Sequence, residues 1–207
     1  MFKTCMLNTI ALLLLIPFSM GQAQTRNTVS QTPKFTLNTN LLYDATTSMN
    51  LGFEFKMGNH VTFKLPVTYN PWEWAYPWEL SWKQKDNEKF KFILAQPEVR
   101  WWFCEPFYGS FLGLHAHGAF FNVSGVGTNW MKDYRFQGFL YGAGLSYGHQ
   151  FYLAPRWNLE LSVGAGYVYL TYDKYDCKTC GELLKSHQKE HHFWPTQAGI
   201  TLVYIIK

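Results

Sequence analysis

The sequence predicts an all-β protein, an eight-stranded antiparallel up-and-down transmembrane β-barrel, and two observations lead to this fold class. Eight segments alternate apolar and polar side chains along almost their whole length, as do barrel strands whose side chains face lipid and lumen in turn. After residue 23, no apolar run reaches the roughly 20 residues that a membrane-spanning helix needs. Because only helices and closed barrels satisfy their backbone hydrogen bonds in lipid, the alternation favours a barrel.

The N-terminus has the pattern of a secretory signal peptide over residues 1–23. Lys3 supplies the positive charge, residues 10–18 the apolar stretch, and Gly21-Gln22-Ala23 the small residues that precede a cleavage site. We therefore expect a short periplasmic segment over residues 24–33 and the barrel over residues 34–207.

The composition is rich in aromatic residues and poor in charge. Aromatic residues make up 19% of the chain and charged residues 15%, against about 25% charged residues in an ordinary globular domain. The net charge is a modest +4, and the basic residues neither cluster nor interleave with aromatic ones, as a nucleic-acid groove would require. The composition therefore predicts outer-membrane lipid, and no nucleic acid, as a partner.

The first four predicted strands run over residues 35–43, 51–57, 61–68 and 90–103. Each alternates with a period of two, which places its apolar side chains on one face of the sheet. Gly58-Asn59 joins the second strand to the third, because both residues tolerate the positive φ of a tight hairpin. The positions expected to face lipid are Phe35, Leu37, Leu41, Tyr43, Leu51, Phe53, Phe55, Met57, Val61, Phe63, Leu65, Val67, Ile93, Ala95, Val99, Trp101 and Phe103.

The last four predicted strands run over residues 112–120, 138–148, 159–167 and 198–206. Their polar faces hold many glycines, so these inward positions take up little room. The positions expected to face lipid are Leu112, Leu114, Ala116, Phe120, Phe139, Tyr141, Ala143, Leu145, Tyr147, Leu159, Leu161, Val163, Ala165, Tyr167, Ala198, Ile200, Leu202, Tyr204 and Ile206.

Six charged residues within the strands occupy the polar side of the alternation, and they fix its register. A slip by one residue would turn all of them into lipid, at up to about 2–4 kcal/mol for each Lys or Arg at the bilayer midplane. Eight strands leave an interior just wide enough for side chains, and buried charges must be paired, so we expect a network that fills the lumen. A proton or ion path remains the alternative. The network residues are Glu54, Lys56, Lys64, Glu98, Arg100 and Glu160, with Gln96, His115 and His117 nearby.

The predicted connections alternate between short turns and long loops, which is the pattern of an outer-membrane barrel in a Gram-negative bacterium. The long loops span residues 70–89, 123–135 and 173–193, and a shorter one spans residues 44–48. Aromatic residues lie near both ends of the strands and predict two interfacial girdles. A soluble, lipocalin-like barrel would instead place its apolar side chains inside. The girdle near the short turns comprises Trp101, Phe107, Tyr108, Phe151, Tyr152 and Trp157.

The last loop holds the residues with the most suggestive chemistry. Cys177 and Cys180 are two residues apart, and His187 and His191 follow with zinc-ligand spacing between the histidines. The separation between cysteine and histidine is shorter than in a zinc finger, and extracellular cysteines are normally oxidised. We therefore prefer a Cys177–Cys180 disulfide and keep zinc as the alternative. Cys104, beside a short turn, is expected to be a free thiol.

The loop over residues 70–89 is dense in aromatic residues separated by acids. Such side chains could stack on the sugars of a glycan or anchor a surface protein, or they could pack over the mouth of the barrel. The candidate partner-binding residues are Trp72, Trp74, Tyr76, Trp78 and Trp82.

No catalytic motif is recognisable, and no catalytic residue or cofactor is predicted. Some small outer-membrane barrels modify lipid A, and His149, Ser146 and Glu160 offer suitable residue types. They do not form a known motif, and His149 lies near the periplasmic end of its strand. We therefore expect a protein that is not an enzyme.

Seven stretches of the chain resemble domain-of-unknown-function family 3575: residues 39–43, 142–148, 157–160, 164–167, 172–175, 177–181 and 198–207. The resemblance runs over nearly the whole mature chain. It implies an eight-stranded outer-membrane barrel of Gram-negative bacteria, often encoded beside fimbria-assembly genes, and it implies no activity or catalytic residue. One departure from outer-membrane proteins in general is the ending Ile206-Lys207, where an aromatic last residue is usual.

These observations lead to a functional hypothesis. The barrel would display its extracellular loops for surface interaction, either in attachment or in an accessory role with a fimbrial component. A structural barrel that stabilises the envelope is the alternative, followed by a lipid A-modifying enzyme.

Overall fold

The computed structural model describes residues 33–71, 89–124, 134–176 and 181–206, which form one antiparallel all-β sheet. The predicted signal peptide, the candidate partner-binding residues of the loop over 70–89 and Cys177 with Cys180 lie outside these described residues. No helix in the described ranges is long and apolar enough to cross a membrane. The elements are β1 (Phe35–Asn40), α1 (Leu41–Ala45), β2 (Met49–Lys56), β3 (Val61–Asn70), β4 (Lys89–Ala95), β5 (Glu98–Trp102), β6 (Gly109–Ser124), β7 (Tyr134–Ala154), β8 (Trp157–Asp176) and β9 (Leu183–Ile206).

The strand pairing closes on itself. Apart from β4 and β5, consecutive strands pair antiparallel, and β1 pairs with both β2 and β9. β4 and β5 lie end to end between β3 and β6, so the nine strands occupy eight positions in a ring. This closure gives every strand position in the ring two hydrogen-bonded neighbours.

The predicted fourth strand, 90–103, is divided in two because prolines lie side by side on neighbouring strands at this point. Pro66 on β3 and Pro97 between β4 and β5 both lack a backbone N–H and so remove donors from the same part of the ladder. The remaining groups keep the strands together, since the Gln96 N–H donates to the carbonyl of Pro66 at 3.1 Å and the Ala116 N–H donates to that of Pro97 at 3.0 Å.

The predicted first strand, 35–43, is wrong at its end, since β1 stops at Asn40. The Asn40 side-chain oxygen accepts the N–H of Leu42 at 3.1 Å and caps α1. Its amide nitrogen donates to the carbonyl of Ala198 on β9 at 3.1 Å, where β1 no longer supplies a backbone partner. Leu41 and Tyr43, expected to face lipid on a strand, therefore lie in a short helix.

Strands β6 to β9 extend well beyond their predicted ends. Most of the predicted last loop is paired β-structure, with Thr171 opposite Lys189 and Tyr175 opposite Leu183. β1 pairs with β9 only over residues 201–206, so the wall is tall at β7–β9 and low at β1–β3. We call residues 170–176 and 183–190 the hairpin arm; at about 3.3 Å per residue it is roughly 20 Å long.

The two faces of the ring have opposite character. Large apolar side chains are exposed on the outer face, among them Leu145 at 68% and Val163 at 64%. The buried residues inside are mostly polar or charged, which is the reverse of a water-soluble core. One predicted girdle residue departs from this pattern: Phe107 is only 3% exposed, since it turns inward and packs on Trp102 with ring centroids 6.2 Å apart.

Candidate functional site

Five charged side chains converge in the middle of the ring, and all of them are buried. They come from four strands: Glu54 from β2, Lys64 from β3, Glu98 and Arg100 from β5, and Glu160 from β8. Each occupies an inward position of its alternating strand. We call these five residues the charge cluster.

Arg100 is the centre of the charge cluster. Its Nη1 and Nη2 donate to the two carboxylate oxygens of Glu160 at 2.8 and 2.9 Å, which is a bidentate pair. Its Nε donates to Glu98 Oε2 at 2.8 Å, and Nη1 also reaches Glu54 Oε2 at 3.2 Å. The guanidinium carbon lies 4.0 Å from the ring centroid of Phe111. One cation thus contacts three carboxylates and an aromatic face.

Glu160 has the most hydrogen-bond donors of the three carboxylates. Besides Arg100, Lys64 Nζ donates to its Oε1 at 3.0 Å and Gln150 Nε2 donates to its Oε2 at 2.8 Å. Gln150 is held in turn by Asn158, whose Nδ2 donates to its Oε1 at 3.2 Å. A second layer of amides therefore orients the central ion pairs.

Glu54 and Glu98 each accept one hydroxyl as well. Thr62 Oγ1 donates to Glu54 Oε1 at 2.6 Å, and the indole of Trp102 donates to Thr62 at 2.9 Å. Ser146 donates to Glu98. The buried charges are thus hydrogen-bonded as well as paired, as their burial requires.

Lys56, the sixth charged residue expected in this network, does not join it. It is half-buried at the end of β2 and forms no ion pair with any of the described residues. The expected balance of three acids and three bases is therefore wrong. With three carboxylates and two cations, the charge cluster carries one excess negative charge when every group is ionised.

Two buried histidines lie above the charge cluster. His115 Nε2 is 2.8 Å from the hydroxyl of Thr196, the residue at an irregularity in the pairing of β9 with β8. His117 has no hydrogen-bond partner for either ring nitrogen among the described residues. Glycines on β7 make room for both rings, because a Cβ at Gly142 would lie 2.6 Å from His117 Nε2 and one at Gly144 would lie 2.8 Å from His115 Nε2.

The candidate zinc ligands can be located only in part. His187 and His191 both lie on β9 but have different neighbours: His187 is 3.9 Å from the Asp173 carboxylate, whereas His191 contacts the hydroxyl of Tyr167. Within the described ranges, no group of three or more His, Cys, Asp or Glu side chains is arranged to hold a metal ion.

The expectation of a free thiol at Cys104 is wrong, since this cysteine is disulfide-bonded. The chain has four cysteines, and the other three lie outside the described residues. The close spacing of Cys177 and Cys180 favoured a pair between these two, and that pairing left Cys104 without a predicted partner.

The residue types considered for catalysis are not brought together. Ser146 and Glu160 belong to the hydrogen bonds of the charge cluster. His149 instead pairs with the hydroxyl of Ser110 at 2.8 Å, near the other end of β7. The three residues therefore do not form one site.

Sequence reasoning missed several residues that support the charge cluster. Gln150, Trp102 and Phe111 all lie inward, but they fall at or beyond the predicted ends of their strands. The signal was available, because the inward alternation continues without interruption into these positions.

The comparisons with known proteins give one match. The model of a family described as "Protein of unknown function (DUF3575)" matches residues 9–206. No curated protein and no solved structure matches the chain.

Proposed function

Since the chain belongs to the DUF3575 family, which brings no established activity, we propose from its geometry that it is a non-enzymatic outer-membrane β-barrel. Its eight strands would span the membrane, and its hairpin arm and loops would serve surface interaction, in attachment or as an accessory to fimbria assembly. The observation that carries the proposal is the inverted ring, apolar outside and charged within.

The outer face of the ring supports a membrane location. Exposed leucine, valine, phenylalanine and tyrosine side chains surround it, although water-soluble monomers rarely expose contiguous apolar patches of more than a few hundred Å². Trp101 and Trp157 are exposed near the short turns, as in the aromatic girdle of a bilayer interface. Lipid is the solvent in which this face would be stable.

The interior supports a closed barrel rather than a diffusion pore. Arg100, Trp102 and Phe111 are among the largest fully buried side chains, and Phe111 contacts both of the others inside the ring. An interior space beside Lys64 of the charge cluster has a volume of only about 30 Å³, which leaves room for a few water molecules at most. A solute could not pass without rearrangement of the charge cluster.

The hairpin arm supports a role outside the membrane. A barrel strand spans the bilayer in about 9–11 residues, whereas β8 has 20 and β9 has 24. The surplus carries polar side chains such as Lys185, Gln188 and Lys189. Structure beyond the bilayer is not needed for insertion, so it is the part available to a partner.

A structural barrel that stabilises the envelope is the second candidate function. The charge cluster favours it, because extensive buried pairing inside a narrow ring serves rigidity without any ligand. The two candidates differ in whether the hairpin arm is required.

The first experiment tests membrane location. We expect the protein in the outer-membrane fraction, with a gel mobility that changes on boiling. When intact cells are treated with protease, we expect cleavage of this protein only in the hairpin arm and the long loops. A soluble periplasmic protein with unchanged mobility would contradict the proposal.

The second experiment tests the arm. Residues 173–187 are replaced by an Asn-Gly turn, which retains the pairing of Tyr172 with Gln188. In a deletion strain, this variant should keep the heat-dependent mobility but fail to restore attachment or fimbriation. The matched control, Lys185→Gln with Lys189→Gln, keeps the arm length and should restore both. Full restoration by the shortened arm would favour the structural barrel, and a changed lipid A mass profile in the deletion strain would favour an enzyme.

A further inference from the structure

The outer face of the ring carries an open groove of about 420 Å³ across β3, β4, β6 and β7. Its floor is an apolar row, in which Tyr69, Ile93, Phe120 and Phe139 lie opposite one another in successive strands. All four are exposed, Phe120 at 68%. This row offers a surface for hydrocarbon.

A polar row follows two residues further along the same strands. Lys91 lies opposite Asn122, which lies opposite Gln137, and all three line the groove. Arg135 reaches down to this row: its Nε donates to Asn122 Oδ1 at 2.9 Å and its Nη2 to Gln137 Oε1 at 2.5 Å. The groove is therefore apolar at one end and hydrogen-bonding at the other.

The polar end is positively charged where the rows meet. Lys91 and Arg135 flank Asn122 on neighbouring strands, which lie about 4.8 Å apart. The acid of this row, Asp173, is at its far end on β8, and its carboxylate accepts the main-chain N–H of His187 at 2.7 Å. The amide oxygens of Asn122 and Gln137 accept from Arg135, so each amide still has NH₂ donors to offer. Two cations and two amides together suit an anion with several acceptor oxygens.

We infer that this groove binds a lipid with a phosphate-bearing headgroup. Lys91 and Arg135 would hold the phosphate with the amides of Asn122 and Gln137, and the acyl chains would lie along Ile93, Phe120 and Phe139. The inference rests on the proposed membrane location. Only a lipid beside the ring presents a phosphate at the level of the polar row and acyl chains at the level of the apolar row. A phosphate without chains would leave the apolar floor unused.

The test uses the purified full chain in maltoside micelles, which contain no phosphate. Dipalmitoyl phosphatidate and dipalmitoylglycerol have the same chains and differ in the phosphate, and inorganic phosphate supplies the anion alone. Native mass spectrometry counts bound lipid for the wild type, for Lys91→Gln with Arg135→Gln, and for Lys185→Gln with Lys189→Gln. The last variant removes the same charge from exposed positions on the arm.

We expect phosphatidate to bind the wild type and the arm variant alike. The groove variant should bind it on the order of tenfold more weakly or worse, since it lacks both cations that would hold the phosphate. The inference would be overturned if the wild type bound dipalmitoylglycerol as well as phosphatidate, or if the groove variant bound phosphatidate as well as the wild type. It would also be overturned if inorganic phosphate displaced phosphatidate as effectively as phosphatidate itself does. Flotation of the same preparation with lipid vesicles tests the membrane location separately. A protein that floats but binds both lipids equally refutes the groove alone, whereas one that does not float refutes the proposed function.

Discussion

Replacing Glu160 with Gln should destabilise the ring much more than the same replacement at Glu54. The two side chains are equally buried and belong to the same cluster, so the substitutions match in size and location. They differ in their partners. Glu160 accepts two bonds from Arg100 and one each from Lys64 and Gln150, whereas Glu54 accepts Thr62 and only the longer contact of Arg100 Nη1, at 3.2 Å.

The partners set the magnitude, because either substitution leaves two carboxylates facing two cations. Glu160→Gln places an amide NH₂ among cationic donors and leaves buried Arg100 and Lys64 short of a partner, and breaking a buried pair in this way costs about 3–5 kcal/mol. Glu54→Gln instead leaves Arg100 and Lys64 paired with Glu160 and removes only the longer contact of Arg100. We expect it to change the free energy of unfolding by no more than about 1 kcal/mol.

The assay is guanidinium unfolding in detergent micelles, followed by tryptophan fluorescence and by the loss of heat-dependent gel mobility. Trp102, hydrogen-bonded to Thr62 beside the charge cluster, reports on the same region in both variants. Equal destabilisation by the two variants, or a larger effect at Glu54, would refute the reasoning from their partners.

Three further predictions concern other parts of the molecule. Gly144→Ala should destabilise the protein by about 1–3 kcal/mol, because the new Cβ would lie 2.5 Å from a carbonyl of β8; the control Gly58→Ala, whose nearest neighbour is 3.9 Å away, should unfold at the wild-type denaturant concentration. On the arm, the bond from Tyr172 to Glu190 raises the pKa of Tyr172 to about 12. The contribution of this bond to stability is present below the ordinary pKa of 10.0 and is lost as pH rises through about 12. Glu190→Gln should bring the ultraviolet titration of Tyr172 back towards the ordinary value, and an unchanged titration would contradict the contact. Cys104 should resist alkylation in the unfolded protein until a reductant is added; labelling without reductant would disprove its disulfide.

The period of two was sufficient to predict the all-β antiparallel sheet and which side chains lie inward. Glu54, Lys64, Glu98, Arg100 and Glu160 meet because each stands at an inward position at similar height in its strand. Alternation does not specify height along the ring, however. Lys56 has the correct inward parity but lies near a strand end, so it does not reach the others.

The ends of the strands depended on local chemistry that alternation does not contain. At Asn40, a side chain that caps a helix overrides the apolar residues that follow it. Pro97 interrupts the fourth strand, as the missing N–H of proline would have predicted. The hairpin arm was expected to be a loop because its lysines, histidines and glutamines carry no apolar alternation, although both of its strands have hydrogen-bonded partners.

The wide spacing of the charge cluster along the chain has a consequence for assembly. Lys64 and Glu160 are 96 residues apart, and Arg100 is 60 residues from Glu160 and 46 from Glu54. No single hairpin can pair all of these groups. In a partly formed sheet without β8, Arg100 and Lys64 therefore lack Glu160, the carboxylate that accepts hydrogen bonds from both. Unpaired charge in a nonpolar surrounding is expensive, and this cost falls only when the first and last strands meet. Closure of the ring and pairing of its interior are therefore one cooperative event. A chain whose ring has not closed is less stable than the closed form.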